Sequence, residues 1–213
     1  MPLKTRRTSV RRLPKRGQYD FETIAAILDA GCLCHLGFVF EDQPYVVPTA
    51  YGRKDSTLYV HGSAVSRTLG ALAEGIPVCL TVSHLDGLVL ARSGFHSSLN
   101  YRSVMVLGRA TPVADDAKLE ALAVISEQIL RGRWADVRPV KRKELNATSV
   151  LQIPIEEASA KVRTGPPADD EPDYALPIWA GEIPLKLKAG KPIPDPRLPA
   201  DTPVPAYVKR FGK

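Results

Sequence analysis

The stretch LYVHGSAVSRTLGAL, residues 58–72, places small polar residues and an arginine between a predicted strand and a predicted helix. With Ser63 as the N-cap, its side chain and the first free N–H groups of the helix point to one place. Ser66 and Arg67 follow within a turn and can converge there, because residues three to four apart share a helix face. Arg67 can donate a planar, charge-assisted fork to phosphate oxygens. The pattern indicates either a phosphate-type anion site or an ordinary capped helix with a surface arginine.

Other signals for phosphate or metal binding are absent from the sequence. The chain has no glycine-rich phosphate loop of the P-loop or dinucleotide-binding kind. His35, His84 and His96 show no metal-ligand spacing with the three cysteines, so no zinc site is expected. No side chain is identified as a catalytic acid or base.

The apolar pattern predicts the elements that must position these residues. Asp20 is a suitable N-cap for a helix that ends near Gly31, and three short strands follow between residues 32 and 61. A short helix is predicted at 64–75, and Asp86-Gly87 reads as a hairpin turn. A long strand (100–113), a helix (115–131) and a last strand pair (149–165) complete the pattern.

This pattern predicts a mainly β fold with a few helices. Six or seven strands separated by turns about every ten residues favour a six- to seven-stranded antiparallel barrel. A doubly wound sheet would need strands and helices in regular alternation, which this sequence lacks.

Composition divides the chain into three parts. Residues 1–17 form a basic N-terminal arm with seven Lys and Arg and no acid, whereas the whole chain carries a net charge of +6. Residues 18–165 form the barrel domain. Residues 166–213 hold 11 of the 19 prolines and are predicted to be an extension that packs on the surface through Trp179, Ile183 and Leu185.

The basic arm leaves three alternatives open: a solvated tail, an arm over a partner subunit, or a nucleic-acid contact. A charge run alone is an unspecific signal, and the rest of the chain is near neutral, so nucleic-acid binding is not expected. No apolar run is long enough to span a bilayer, and no apolar segment follows the basic N-terminus as in a signal peptide. With three cysteines, an odd number, the prediction is a reduced, cytoplasmic protein that does not bind membranes.

Five segments carry a family resemblance: PYVVPTAYG (44–52), LYVHGSAVSRTL (58–69), DGLVLAR (86–92), NYRSVMVLGRA (100–110) and AKVRTGPP (160–167). In this order they resemble the FMN-binding split barrels of the pyridoxamine 5′-phosphate oxidase-like superfamily. The similarity is greatest to the bacterial flavin-nucleotide-binding branch, which includes the nitroimidazole reductases.

The resemblance implies a homodimeric split β-barrel with FMN in a groove between the subunits. It implies that backbone atoms of one strand run along the flavin ring, and that a serine-arginine pair binds the phosphate. A later strand supplies a polar residue near the flavin, in some members from the partner subunit. The residues at these positions are Pro48, Thr49, Ala50 and Tyr51 along the ring; Ser66 and Arg67 at the phosphate, with His61 and Ser63 in the same corner; and Ser103 on the later strand, with Tyr101 and Arg102 beside it.

Two departures from the oxidase proper affect the expected activity. Thr68 stands where the oxidase has a lysine at the phosphate. Of the basic cluster that holds the pyridoxal substrate, only Lys161 and Arg163 remain, so oxidation of pyridoxamine phosphate is not expected. Arg163 is kept as a candidate cofactor contact.

The resemblance therefore predicts an FMN-dependent oxidoreductase that transfers hydride or electrons between the flavin and an unidentified small-molecule substrate. The alternative is a flavin or haem carrier or sensor without turnover. Some split barrels bind haem through a histidine, and His61 is the residue that would take this role.

Overall fold

The computed structural model describes residues 3–211, which form ten strands and five α-helices. Three short 3₁₀ helices lie at Pro14–Arg16, Trp134–Asp136 and Glu171–Ala175. The strands are β1 (Gly17–Gln18), β2 (Leu33–Phe40), β3 (Gln43–Lys54), β4 (Thr57–Ser63), β5 (Pro77–Leu90), β6 (Ser98–Arg109), β7 (Thr111–Pro112), β8 (Thr148–Pro154), β9 (Glu157–Arg163) and β10 (Gly181–Pro184). The helices are α1 (Phe21–Asp29), α2 (Arg67–Ala73), α3 (Lys118–Ile129), α4 (Arg142–Asn146) and α5 (Ala206–Arg210).

All strand pairs are antiparallel, and the order in the sheet is β1-β9-β6-β5-β2-β3-β4-β8-β7, with β10 added to β5. Alternate residues of the strands face one apolar core, because successive side chains of a strand point to opposite faces. Helix α1 contributes Ile24 and Leu28 to this core, and the central strands contribute residues such as Leu80 and Val104. The predicted cap is confirmed, since the Asp20 side chain accepts a hydrogen bond of 2.7 Å from the Thr23 N–H.

The mainly β, antiparallel architecture is as predicted, but the strand count of six or seven is not. Seven strands have seven or more residues, while β1, β7 and β10 have two to four. The short strands escaped prediction because segments of that length show no periodicity. They form only where the tertiary fold brings a free strand edge beside them.

The hairpin predicted at Asp86-Gly87 is wrong. Strand β5 continues through both residues and pairs with β6 on either side, with a register shift between Leu85 and Gly87. Asp86 is therefore the extra residue of a β-bulge. Gly87 is needed for a close approach instead of a turn, since a Cβ built there would lie 3.0 Å from the Ile183 carbonyl oxygen of β10.

The last two long strands form as predicted but do not pair with each other. Strand β8 pairs with β4 and β7, whereas β9 pairs with β6 and β1. The buried residue Ile155 lies between them, and its N–H donates to the carbonyl of Ser56. The chain thus passes from one part of the sheet to another without a turn that would return it beside β8.

Both terminal segments lie against the barrel. The N-terminal arm follows β9: Arg7 pairs with Glu157, and the Ala158 N–H donates to the Leu3 carbonyl. The C-terminal extension adds β10 to β5 and places α5 near α3, where the Tyr207 hydroxyl donates to Asp136. Among residues 3–211, no helix is both long and apolar enough to cross a membrane.

Candidate functional site

A groove opens where β3 and β4 separate. Strand β3 pairs with β2 up to Ala50, but it pairs with β4 only from Tyr51 to Lys54. Beyond Val60, β4 continues through residues 61–63 beside β8. Within the part of the chain that the structure describes, the edge of β3 from residue 44 to residue 50 therefore has a strand on one side only.

The backbone of this free edge has a defined polarity. The Tyr51 N–H donates to the Cys32 carbonyl on the β2 side. Successive residues of an antiparallel strand direct their backbone N–H and C=O groups to opposite sides. The backbone groups of Thr49 and Tyr51 therefore point to β2, and those of Pro48 and Ala50 point to the groove. Pro44 and Pro48 both fall on the groove side, where proline needs no N–H partner from a neighbouring strand.

The start of α2 forms the other side of the groove. Arg67, Thr68 and Ala71 line a small pocket with the aromatic residues of the β2–β3 hairpin, Phe38, Phe40 and Tyr45. The Phe38 and Tyr45 rings stack with centroids 5.5 Å apart. Arg67 is exposed, and within residues 3–211 no carboxylate lies within 4 Å of its guanidinium. The groove therefore places the Arg67 guanidinium, which has no ion-pair partner among residues 3–211, beside three aromatic rings.

The N-cap of α2 is Ser66, so the predicted cap at Ser63 is wrong. The Ser66 side chain accepts from the Leu69 N–H at 3.4 Å. Pairing of β4 with β8 continues to Ser63 and Thr148, and the Ala64 N–H then donates to Ala147. The chain stays extended through these contacts, which delays the helix by one turn. Ser63 is exposed beside it.

His61 lies at the end of β4, next to this corner. Its Nδ1 atom is buried and has no hydrogen-bond partner among residues 3–211. Burial lowers the pKa of the imidazole below its usual value, so the ring is neutral at pH 7. A neutral imidazole is the form that can ligate a metal ion.

The side chain of Tyr51 belongs to the core. It is fully buried, and its hydroxyl donates to the Leu28 carbonyl of α1. Burial also raises the pKa of this phenol. Tyr51 therefore fixes α1 to the barrel and presents no side chain to the groove.

Three predicted site residues lie on β6, apart from the groove of the same chain. Two strands, β5 and β2, separate β6 from β3, a distance of about 14 Å at the usual strand spacing. Arg102 forms a two-pronged ion pair with Asp86 at 2.9 and 2.8 Å, which raises the pKa of Arg102 and lowers that of Asp86. The Ser103 hydroxyl donates to the Lys161 carbonyl at 3.2 Å. Tyr101 pairs with Leu85 and Arg163.

Arg163 is also committed elsewhere. Its side chain is buried and donates to Asn100, to the Gly165 carbonyl at 2.9 Å and to the Pro166 carbonyl at 3.1 Å. Asn100 in turn donates to Glu182 of β10 at 2.5 Å. This buried clamp fastens the beginning of the C-terminal extension, so Arg163 does not reach the groove.

A cleft of about 770 Å³ lies elsewhere, between α3 and α5. None of the predicted site residues lines it. Two of its cations are already paired, Arg53 with Asp29 and Lys54 with Glu120. We place the candidate site at the groove between β3 and α2 because predicted site residues, Arg67 and Thr68, line a pocket there with Tyr45 of the free strand edge.

Sequence reasoning missed the aromatic wall of the groove. Phe38 and Phe40 alternate along β2, and Tyr45 stands opposite Phe38 across the turn at Glu41 and Asp42. Both turn residues have positive φ angles, 50° and 58°, which suit a tight two-residue hairpin. The signal was the segment FVFEDQPY (38–45), in which aromatic residues stand on both sides of the turn formers Glu41 and Asp42.

Comparison with solved structures shows extensive similarity. The flavocytochrome Anf3 from Azotobacter vinelandii is 46% identical, with 97% of each chain covered and a TM-score of 0.92. The FAD- and haem-binding protein from Mycobacterium smegmatis is 38% identical, with 91% of this chain and 96% of that chain covered and a TM-score of 0.89. An FAD-binding protein from Mesorhizobium loti is 20% identical over 70% of this chain and 98% of its own, with a TM-score of 0.51, and shares the fold.

The family comparison agrees with the predicted resemblance. No curated protein matches the chain. The family model described as pyridoxamine 5′-phosphate oxidase matches residues 20–162, which is about two thirds of the sequence. The chain therefore belongs to the pyridoxamine 5′-phosphate oxidase family, in the split-barrel superfamily that its sequence resembles.

Proposed function

We propose that this protein is a flavocytochrome that holds FAD and a haem. The observation that carries the flavin part is the groove itself, where the exposed, unpaired Arg67 faces aromatic rings beside the free edge of β3. A flavin nucleotide needs an anion site, a flat apolar wall and backbone polar groups near the ring edge. Similarity over nearly the whole chain to a flavocytochrome and to an FAD- and haem-binding protein supports the same proposal.

Residues of the groove take the roles expected from the sequence. Ser66, Arg67 and Thr68 would hold the phosphate, with Ser63 beside them, and the backbone of Pro48 and Ala50 would meet the ring edge. We propose FAD in place of the FMN expected from the sequence, because the relative at 38% identity is named for FAD. The phosphate corner suits either nucleotide.

His61 would hold the haem iron. Burial lowers the pKa of its imidazole, and the neutral imidazole is the form that ligates iron. Nε2 would be the ligand, and the buried Nδ1 would carry the remaining proton. When bound, the flavin and the haem supply one- and two-electron chemistry that no protein side chain provides.

We propose a redox function with electron exchange between a flavin and a small-molecule partner. Oxidation of pyridoxamine phosphate is not part of it, since Arg163 is engaged in the buried clamp and cannot bind a substrate phosphate.

The three cysteines are free thiols, which suits a reducing compartment such as the cytoplasm.

The first test is the absorption spectrum of the purified protein, followed by denaturation and identification of what is released. We expect a Soret band, a flavin band pair and FAD in the supernatant. Release of FMN alone, without a Soret band, would overturn the FAD and haem assignments and restore the FMN prediction. A colourless protein that takes up neither added flavin nor added haem would refute the proposal.

Two further measurements separate the roles. His61→Ala should remove the Soret band and leave the flavin. The control is His35→Ala, at an exposed histidine of β2, which should leave both.

Turnover is tested by reduction of the bound flavin with NAD(P)H and its reoxidation by an added acceptor. Failure of every donor to reduce the flavin would favour the alternative of a carrier or sensor.

A further inference from the structure

The cleft between α3 and α5 has the size of a small-molecule site. Its volume is about 770 Å³, within the range of roughly 300–1,000 Å³ that is typical of ligand pockets. The end of α1 contributes Asp29 to its lining, and the end of β3 contributes Arg53 and Lys54. None of the residues assigned above to the flavin or the haem lines this cleft, so a ligand bound there would occupy a second site.

The carboxylates of the cleft are already engaged by the protein. Asp29 pairs with Arg53, and Glu120 pairs with Lys54. Glu127 accepts hydrogen bonds of 2.7 and 2.8 Å from two backbone N–H groups of the turn that follows α3. Each negative charge is thus balanced or hydrogen-bonded within the chain, and the cleft does not favour a cationic ligand.

Two cations of the cleft have no ionic partner among residues 3–211. Arg131 and Arg210 line the cleft and are exposed, and no carboxylate in this part of the chain lies within 4 Å of either guanidinium. The Arg210 side chain donates only a long hydrogen bond of 3.3 Å to the Ala206 carbonyl. A guanidinium in this state can donate charge-assisted hydrogen bonds to a carboxylate or a sulfonate. The charge of the cleft therefore favours an anionic ligand.

The remaining surface of the cleft supplies apolar and aromatic contacts. Helix α3 contributes Ala123 and Val124, and the C-terminal segment contributes Tyr207 and Phe211. Phe211 is 58% exposed, which leaves its ring free to contact a ligand. Aromatic rings favour an aromatic partner, because stacked and edge-to-face ring pairs add to the gain from burial. A molecule with an aromatic body and one anionic group fits this lining.

Helix α5 reaches the cleft at the end of a long exposed segment. Residues 185–205 form no helix or strand, and α5 has five residues, none of them buried. A helix of this length is not stable by itself. The Tyr207 hydroxyl holds it in place by donating to Asp136 at 2.5 Å and accepting from Arg133 at 3.1 Å. A ligand between α3 and α5 would add contacts that offset the conformational entropy lost when this segment is ordered.

We propose that the cleft between α3 and α5 binds a small aromatic anion, with its carboxylate-type group on Arg210 and its ring system between α3 and Phe211. The proposal does not rest on the flavin or the haem proposed above, because no residue of the cleft takes part in binding them.

Two probes of nearly the same shape test the requirement for charge. Anilinonaphthalene sulfonate is an aromatic anion, and phenylnaphthylamine is its neutral parent. Equilibrium dialysis against the purified protein as isolated measures the affinity and the number of sites for each probe. We expect a single saturable site per chain, which binds the sulfonate roughly tenfold or more tightly than the neutral amine.

Arg210→Ala should weaken binding of the sulfonate by roughly tenfold or more and leave binding of the neutral amine unchanged. Lys209→Ala is the matched control, since Lys209 is also an exposed cation of α5 but does not line the cleft. Ala123→Trp fills the cleft and should abolish binding of both probes. Leu119→Trp, at an exposed position of α3 outside the cleft, should bind both as the wild type does. Circular dichroism checks the fold of each variant.

Equal affinities of Arg210→Ala and Lys209→Ala for the sulfonate would overturn the proposal, and so would binding that persists in a folded Ala123→Trp protein. A sulfonate site that is lost in Arg67→Ala would place the probe in the flavin groove and would also overturn it. Because these measurements compare variants of the cleft, a failure of the flavin or haem assignment would leave their result unchanged.

Discussion

At the scale of single residues, three arginines that were each predicted to contact the cofactor have different environments. Arg67 is exposed and free of carboxylates within the described chain, Arg102 is paired with Asp86, and Arg163 is buried in the clamp. Arg102 directs its Nε and Nη2 donors to Asp86, and the two Nη atoms of Arg163 donate to Asn100, Gly165 and Pro166. Of the three, only Arg67 lines the groove, where its guanidinium can bind an anion.

Arg67→Ala should weaken flavin binding without affecting the fold. The loss of a charge-assisted contact to phosphate corresponds to about 1.5–3 kcal/mol, or roughly a 10- to 100-fold higher dissociation constant. Fluorescence titration of the flavin-free protein with FAD and with FMN measures this change. Arg131→Ala, an exposed arginine of the distant cleft, is the control. Unchanged affinity in Arg67→Ala would mean that the phosphate is held elsewhere.

Because Asp86 forms an ion pair with Arg102, we expect the protein to lose stability at acidic pH. The two hydrogen bonds from Arg102 lower the pKa of Asp86 below its ordinary value of 3.8. A carboxyl group with a lowered folded-state pKa contributes stability above its unfolded pKa, and this contribution disappears as the pH falls through the folded-state pKa.

Asp86→Asn should therefore lower the free energy of unfolding at pH 7 by about 0.5–1 kcal/mol, since the pair is partly exposed. The difference from the wild type should begin to shrink below about pH 4, where Asp86 of the unfolded chain takes up a proton, and should disappear below the lowered folded-state pKa. Urea unfolding at several pH values measures this. An equal difference at every pH would show that the bulge geometry, and not the charge, is responsible.

At the scale of elements, α3 packs on β3 at a position that admits only glycine. A Cβ built on Gly52 would lie 2.7 Å from the Ile125 backbone of α3 and from the Val124 carbonyl oxygen. The backbone of a helix cannot move aside as the end of a flexible side chain can. Gly52 follows Tyr51, the residue at which β3 begins to pair with β4, so this contact lies beside the end of the groove.

Gly52→Ala should destabilise the protein by about 1–3 kcal/mol, because α3 must move away from the sheet. Gly70→Ala on α2 is the matched control. Its added methyl group meets nothing within 4 Å, and alanine favours a helix over glycine by about 0.5–1 kcal/mol. Denaturant unfolding curves measure both variants. A Gly52→Ala protein as stable as the wild type would contradict the close contact.

At the scale of the whole molecule, one buried arginine connects the barrel to its extension. Arg163 ends β9, and its acceptors include Asn100 of β6 and the carbonyls of Gly165 and Pro166. The clamp continues through Asn100 to Glu182, so the position of β10 depends on it.

Arg163→Met keeps the aliphatic stem and removes the donors. It should cost about 2–3 kcal/mol of stability and speed hydrogen exchange at the amides of β10. Exchange monitored by mass spectrometry reports on the peptide that contains residues 181–184. Arg197→Met, in the same extension but exposed, should leave exchange there unchanged. Unaltered protection of β10 in Arg163→Met would show that strand pairing alone holds the extension.

The sequence by itself determined the elements with strong local signals. The alternating segments predicted the long strands, Asp20 predicted the cap of α1, and the order of motifs predicted the superfamily. Each of these signals lies within a few residues and needs no distant partner. Where a distant partner decides, the prediction was wrong: pairing with β8 kept Ser63 in a strand, and pairing with β6 on both sides turned the expected hairpin at Asp86 into a bulge.

Only the tertiary structure decided which candidate site residues share a place. Pro48 and Ala50 lie on a free strand edge because β3 pairs with β4 only from Tyr51 onward, and Arg67 and Thr68 line a pocket with Tyr45 of the same edge. The side chains of Arg102 and Arg163 are withdrawn from that groove by partners 16 and 63 positions away in the chain, Asp86 and Asn100. The chemistry of a side chain can be read from its type. Its availability depends on contacts between residues far apart in sequence, which only the folded chain specifies.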